Sequence, residues 1–388
     1  MSNVVLDYRT EDQPIAPLSV SKITLFHFRN YDDQQMVFEP TPVVLTGANG
    51  SGKTNLLEAI SLLVPGRGLR RAALAELQNQ TLPLPWAVAT ELQTAYGDLK
   101  IGTGRDPQET EGDRRLVHIN GKNVRGQNSL AEHIAMAWVT PDMDRVLAEG
   151  PSARRKLLDR LVYSFDPAHS ARVHRYEKAM RERLRLLREG VSDAAWLNAL
   201  EDEMAQTAVA IAAARRHMIR QLRTAIAETN SVFPKADIAL KGMAEEALED
   251  QPALPVEDKI RSALARARGD DAQSGTCSVG AHRTDLAVRH RAKDCPADLC
   301  STGEQKALLI AIMLAYLRTL TRARSMAPLF LLDDIAAHLD DIRRDALFEE
   351  ILTLNVQAWI TGTDAEPFGR LLPYAQHGLV EQGHMKWG

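Results

Sequence analysis

Three short stretches carry residues whose types and spacing can do chemistry together. They are GANGSGKT at Gly47 to Thr54, STGEQ beginning at Ser301, and FLLDD ending in Asp333 and Asp334. The first fits the spacing G-x-x-x-x-G-K-[ST], a loop that cradles phosphates. Gly47, Gly50 and Gly52 let the backbone curl, so that the N–H groups of Gly47, Ala48, Asn49, Gly50, Ser51 and Gly52 can converge on phosphate oxygens. Lys53 can then reach the β- and γ-phosphates, and the Thr54 hydroxyl is placed to ligate Mg²⁺. Asp333 ends an apolar run from Leu329 to Leu332, where a carboxylate can hold the same Mg²⁺ through water. Asp334 follows at the place of a general base for an attacking water. The bland alternatives are a structural glycine turn and a buried strand that ends in two aspartates. Against them stands the presence of both halves of a nucleotide site, and ATP or GTP is the implied ligand.

These residues need elements to position them. Val43 to Thr46 reads as a buried strand, and Leu56, Leu57, Ile60 and Leu63 recur at helical spacing after the loop. The helix starting near Lys53 adds the positive end of its dipole to the phosphate position. Ser21 to Thr46 and residues 86 to 125 read as short alternating strands broken by Gly and Asp turns. From about Pro167 the texture turns helical, with Val173, Tyr176, Met180, Leu184 and Leu187 forming a stripe. Gly190 to Asp193 breaks that helix, with Ser192 or Asp193 as the cap of a second one running to about Asn230. At 1.5 Å per residue the two helices span roughly 33 and 54 Å, a short projecting arm. Residues 242 to 275 are rich in Ala, Glu and Asp and read as containing a poorly ordered stretch. The implied divisions are a loose tail over 1–17, a first head segment over 18–164, a helical arm over 165–275 and a second head segment over 276–388.

A net charge of −4 does not by itself mark a nucleic-acid binder. Basic residues nevertheless crowd Arg154 to Arg188, with a second cluster at Arg215, Arg216, Arg220 and Arg223. Such stripes are either a phosphate-backbone footprint or a solvated helix face. Arg181, Arg185 and Arg188 are the arm's candidate DNA contacts. Cys277, Cys295 and Cys300 form no C-x-x-C pair and read as free thiols in a reducing compartment. No apolar run reaches the ~18 residues of a membrane span, and the polar, acidic N-terminus lacks the order of a secretory signal. Together these features point to the cytoplasm.

Ser301 and Glu304 form an S-x-x-E capping box ahead of a helix that is apolar almost all round. Ser-Thr-Gly-Glu-Gln is also the form of the ABC-type signature motif, in which a helix N-terminus is aimed at the γ-phosphate held by a second subunit. The P-loop, this motif, LLDD and the later strand ending in Thr361 and Thr363 specify an α/β fold, an ABC-type P-loop ATPase head with an inserted helical arm.

Within that class FHFRNY, GANGSGKTNLLEAISLL, PGRGLR, VHINGK, RRKLLDRLV, VGAHRTDL, STGEQKALLIAIMLA and LLDDIAAHLD resemble the RecF family of bacterial recombination mediators. The resemblance runs from about Ser19 to the C-terminus. It implies a cytoplasmic, weakly hydrolysing ATPase that uses ATP and Mg²⁺ and dimerises around two ATP molecules. It further implies binding of double-stranded and gapped DNA, work with RecR and RecO, and help in loading RecA. Lys53, Asp334 and, from the partner copy, Ser301 are the implied catalytic residues. Gly303 and Thr363 join the P-loop in the ATP site, and Thr54 and Asp333 serve the metal. Gly68, Ala281 and Thr284 depart from the commoner family pattern. Competing readings are another SMC-like repair ATPase, a transporter's ATPase subunit, a small-molecule P-loop kinase, and an arm protein that never hydrolyses its nucleotide. The long helical insertion opposes the transporter, and the kinase has no need of Ser301 to Lys306.

Overall fold

The computed structural model describes residues 16–81, 84–106, 114–191, 193–324, 326–335 and 339–387. Ser192, His338 and the first fifteen residues of the expected tail lie outside them. The other two tail residues, Ala16–Pro17, form a strand paired in parallel with Met326–Ala327. At Ala16 and Pro17 the expectation of a loose tail is corrected, because a neighbouring strand end offers backbone partners.

A six-stranded sheet forms the centre of the head, in the order Met136–Val139, Leu329–Leu332, Ala358–Thr361, Val43–Thr46, Gln376–Glu381 and His384–Trp387. The first five strands are parallel and the last is antiparallel. Four of them are four residues long and buried throughout, as in a parallel sheet covered on both faces. Their carboxyl ends deliver the P-loop, Asp333 and the Thr361–Thr363 turn to one edge, where ligands of such sheets gather.

A second, antiparallel sheet runs Tyr31–Val37, Ser19–Phe28, Ala87–Thr94, Gly97–Arg105, Arg115–Ile119 and Lys122–Asn123. Its strands alternate in burial because one face meets the core and the other meets water. VHINGK closes through Asn120 and Gly121, both with positive φ, the geometry of a two-residue hairpin turn.

The arm helices are Ala168–Arg188 and Ala194–Glu228. Asp193 caps the second, its carboxylate accepting from the N–H groups of Ala195 and Trp196. Residues 242–275 correct the sequence reading: they form three helices, Met243–Asp250, Ala253–Arg266 and Arg268–Ser274. Composition hid the spacing of Val256, Ile260 and Leu264, which is i, i+4, i+8. All three are buried with Met204, Ala205, Ala208 and Ile211 of the long helix in a separate small core. The arm segment also contributes a strand, Ala236–Lys241, which pairs with Asp285–His290 beyond it.

Two arginines, one from each basic cluster, belong to interiors. Arg183 is fully buried and donates to Glu201, Asp271 and the Leu264 carbonyl. Arg215 is held by both oxygens of Asp159 and by the Ala281 carbonyl, with Glu245 3.5 Å away. His169 also bonds Asp159, and the Thr284 hydroxyl donates to Glu245. This buried cluster fastens the base of the arm to the head. Ala281 and Thr284, the two departures from the family pattern, take part through a carbonyl and a hydroxyl.

Candidate nucleotide site

The P-loop helix spans Lys53–Ser61, entered through Gly47, Gly50 and Gly52, all with positive φ. At Gly52 a Cβ atom would lie 2.7 Å from Asn30 Nδ2 and 3.0 Å from the Tyr31 hydroxyl, so glycine is required by space as well as by φ. One cavity is lined by Asn49, Gly50, Gly52, Lys53, Thr54, Asp333, Asp334, Thr361 and Thr363, with Asn55 and Arg70 at its side.

Inside it the polar groups form a chain. The Thr54 hydroxyl donates to Asp333 Oδ1 at 2.8 Å, and Thr361 Oγ1 donates to the same oxygen at 2.9 Å. Thr361 Oγ1 in turn accepts the Asp334 N–H at 2.8 Å, which fixes Asp334 at φ +51°. Lys53 Nζ donates to the Gly47 and Ala48 carbonyls at 2.6 and 2.9 Å. Burial pulls its ammonium below the ordinary lysine range, and the charges of Asp334 and Asp333 oppose that pull. A hydroxyl and a carboxylate 2.8 Å apart beside a phosphate cradle are the hard oxygen donors that Mg²⁺ takes, so the residues fit that ion. Thr363 contributes its carbonyl to the Gly47 N–H.

Ser301 and Gly303 stand apart from this group and do not line the cavity. Both are exposed at the start of the Thr302–Arg324 helix, with the Ser301 N–H donating to Glu304 Oε2 at 3.0 Å. Arg181, Arg185 and Arg188 are exposed on the first arm helix, away from the nucleotide cavity, and each has a neighbour. Arg181 lies 3.8 Å from Glu177, Arg185 bonds Glu182 and Glu189, and Arg188 donates to the Gly275 carbonyl.

Several residues that support the site were missed in the sequence. Asn30 Nδ2 donates to the Ser51 carbonyl and the Tyr31 hydroxyl to the Gly52 carbonyl, both at 3.0 Å, so the FRNY hairpin props the P-loop from outside. Arg29 clamps the buried Glu58 of the P-loop helix with two bonds, at 2.8 and 2.9 Å. Arg70, from PGRGLR, bonds Asn55 at the cavity's side. The FRNY and PGRGLR motifs themselves were the only available signal. At Gly68 φ is +70° and a Cβ would meet Ser61 Oγ at 2.8 Å, so serine there would require the turn to move.

A P-loop at the carboxyl edge of a parallel sheet, an antiparallel lobe beside it and an arm inserted before the signature helix define an ABC-type ATPase head of the SMC kind. Residues 19–370 match the RecF/RecN/SMC N-terminal domain. The chain is 48% identical over 371 residues to the DNA replication and repair protein RecF of Mesorhizobium japonicum, covering 95% of this chain and 97% of that one. It is 45% identical to the RecF of Allorhizobium ampelinum, over 94% and 98% of the two chains. Its fold is similar to that of the recombination mediator protein RecF-ATPrS, with a TM-score of 0.84, 23% identity and 96% and 98% coverage. An Smc head domain from Pyrococcus furiosus is more distant, with a TM-score of 0.54, 16% identity and 96% of each chain covered. The chain belongs to the RecF family.

Proposed function

We propose that this chain is an ATP-gated DNA-binding protein of replication and recombinational repair, in which ATP closes a homodimer on duplex DNA and slow hydrolysis reopens it. The observation that carries this reading is the divided site: Lys53, Thr54, Asp333 and Asp334 share one cavity, while Ser301 and Gly303 face solvent elsewhere. The signature helix starts at the exposed residues Ser301 to Gly303, and the positive end of its dipole suits an anion such as a second copy's nucleotide. Leu299 and Ile342, near the signature and LLDD segments, are 74% and 71% exposed, which suits a surface that a partner covers.

In the mechanism, Lys53 exchanges two loop carbonyls for the β- and γ-phosphates, so the loop is already shaped before ATP arrives. Mg²⁺, held through Thr54 and Asp333, would neutralise charge developing on the transferred phosphoryl group. Asp334, pinned by its own N–H to Thr361, presents its carboxylate to accept the attacking water's proton. Ser301 and Gly303 of one copy complete the site of the other by facing its γ-phosphate. ADP lacks that phosphate, so only ATP holds the pair together. We also propose a cytoplasmic location, gapped DNA as a target, RecO and RecR as partners and RecA loading as the outcome; the relatives' role in DNA replication and repair agrees with a DNA-bound activity.

The test is binding of the protein to duplex, single-stranded and gapped DNA with ATP, with ADP and without nucleotide, at several salt concentrations. Duplex or gapped DNA bound only with ATP supports the reading. Equal binding in all three nucleotide states contradicts it.

A further inference from the structure

The arginines of this chain fall into two groups by what surrounds them. On the arm, Arg175, Arg181 and Arg185 each face a glutamate. In the cavity of ≈ 660 Å³ beside the three-stranded sheet, Arg154, Arg289 and Arg291 are matched to Asp285, Asp294 and Asp237, while Arg223 donates to the Ile238 carbonyl. A different cavity, ≈ 600 Å³, opens between the turn after the P-loop helix and the start of the arm. Its walls include Gly66, Arg114, Arg115, Arg125, Gln127 and Tyr163.

Among the described residues that line it there is no carboxylate. Arg115 is 6% exposed, and its guanidinium donates only to neutral oxygens: Thr103 Oγ1 at 2.6 Å, the Gly66 carbonyl at 2.9 Å, Gln127 Oε1 at 3.2 Å and the Leu62 carbonyl. Burial without a counter-charge lowers its pKa to about 10, which leaves it charged at neutral pH. Among the described residues Arg114 and Arg125 make no side-chain ion pair or hydrogen bond, and both are exposed at the cavity. Next to this cavity Arg160 lies over the Trp138 ring with a sulfur as its side-chain partner, again without a carboxylate. A buried cation with only neutral ligands is costly unless an anion completes it.

We propose that this cavity seats a backbone phosphate of duplex DNA, with Arg114 and Arg125 reaching the phosphate and Arg115 supplying buried positive charge behind it. The inference rests on the DNA-binding reading given above. It also couples the two ligands: Arg115 holds the carbonyls of Leu62 and Gly66, and the same turn runs on to Arg70 beside the nucleotide.

The experiment compares wild type, the Arg114→Gln/Arg125→Gln double variant and an Arg181→Gln/Arg185→Gln/Arg188→Gln arm variant. Arg115 is left intact because its bonds are structural. Each protein is titrated with duplex DNA in ATP over a salt series, and with ATP alone. Losing one seated phosphate flattens the slope of log K against log salt by roughly 0.9 in the double variant and lowers its DNA affinity. ATP affinity stays at the wild-type value, and the arm variant keeps the wild-type slope. A double variant with wild-type slope and affinity overturns the proposal, as does a flattened slope confined to the arm variant. Wild type that binds no duplex with ATP overturns the functional reading first, and this proposal with it. A separate arm adds inorganic phosphate at fixed ionic strength: competition only in proteins with intact Arg114 and Arg125 supports the seat, and equal competition in the double variant contradicts it.

Discussion

Replacing Asn30 with Ala removes two hydrogen bonds that shape the P-loop without touching any atom that would contact nucleotide. Asn30 Nδ2 leaves the Ser51 carbonyl, which keeps its bond from the Gly383 N–H. Asn30 Oδ1 no longer accepts from Asn55 Nδ2 at 2.7 Å, and Asn55 is the residue that holds Arg70 at the cavity's side. Each bond contributes about 1 kcal/mol, so roughly 2 kcal/mol of preorganisation is lost. If that falls on the loop's ATP-ready shape, the Kd for ATP rises about 30-fold. Tyr31→Phe removes one bond to Gly52, whose carbonyl still accepts from the Leu56 N–H, and the expected loss is about fivefold. Calorimetric titration with ATP reads the affinity, and a thermal melt without nucleotide confirms that the variants are folded. A folded Asn30→Ala protein with ATP affinity within twofold of wild type would refute the idea that the hairpin shapes the loop.

Two further outcomes follow from named contacts. Asp334→Asn keeps ATP bound but slows phosphate release by about 100-fold or more, because the amide cannot take the water's proton; a wild-type rate removes Asp334 as base. Burial of Asp159 pushes its pKa up, but bonds from His169 and Arg215 outweigh that and hold it at about 2, against an ordinary 3.8. A depressed carboxylate stabilises the fold above its unfolded pKa and loses that contribution as pH falls through the folded value. About 2 kcal/mol therefore disappears between roughly pH 5 and pH 2, and urea unfolding of wild type should show that loss. Asp159→Asn should lose it in part, and parallel stability–pH curves for the two proteins would contradict the assignment.

What the sequence disclosed depended on how local each signal was. The P-loop, the capping box at Ser301 and the arm helices rest on spacing within a few residues, and they stand where the spacing placed them. The props of the site do not: Arg29 meets Glu58, and Arg115 meets Gly66, across 29 and 49 residues of chain, and no periodicity announces such pairs. Arg183 was legible in principle. It lies seven residues after Tyr176 and four after Ala179, on the same helix face, and both of those are buried. Counting it with the charge run hid its position. Arg215 repeats the case, sharing a face with Ala208, Ala212 and Leu222. The helices of 242–275 were obscured because composition was weighed ahead of the spacing of three apolar residues.

The most direct test of the divided site is sedimentation of wild type and Ser301→Arg, each with ATP and with ADP, paired with hydrolysis measured over a range of protein concentration. Wild type should become a dimer with ATP and remain a monomer with ADP, and its specific activity should climb with concentration. Ser301→Arg should bind ATP yet stay monomeric and inactive, since the bulky side chain blocks the helix start from the partner's γ-phosphate. Wild type that remains monomeric in ATP while hydrolysing it at a concentration-independent specific rate would contradict the account.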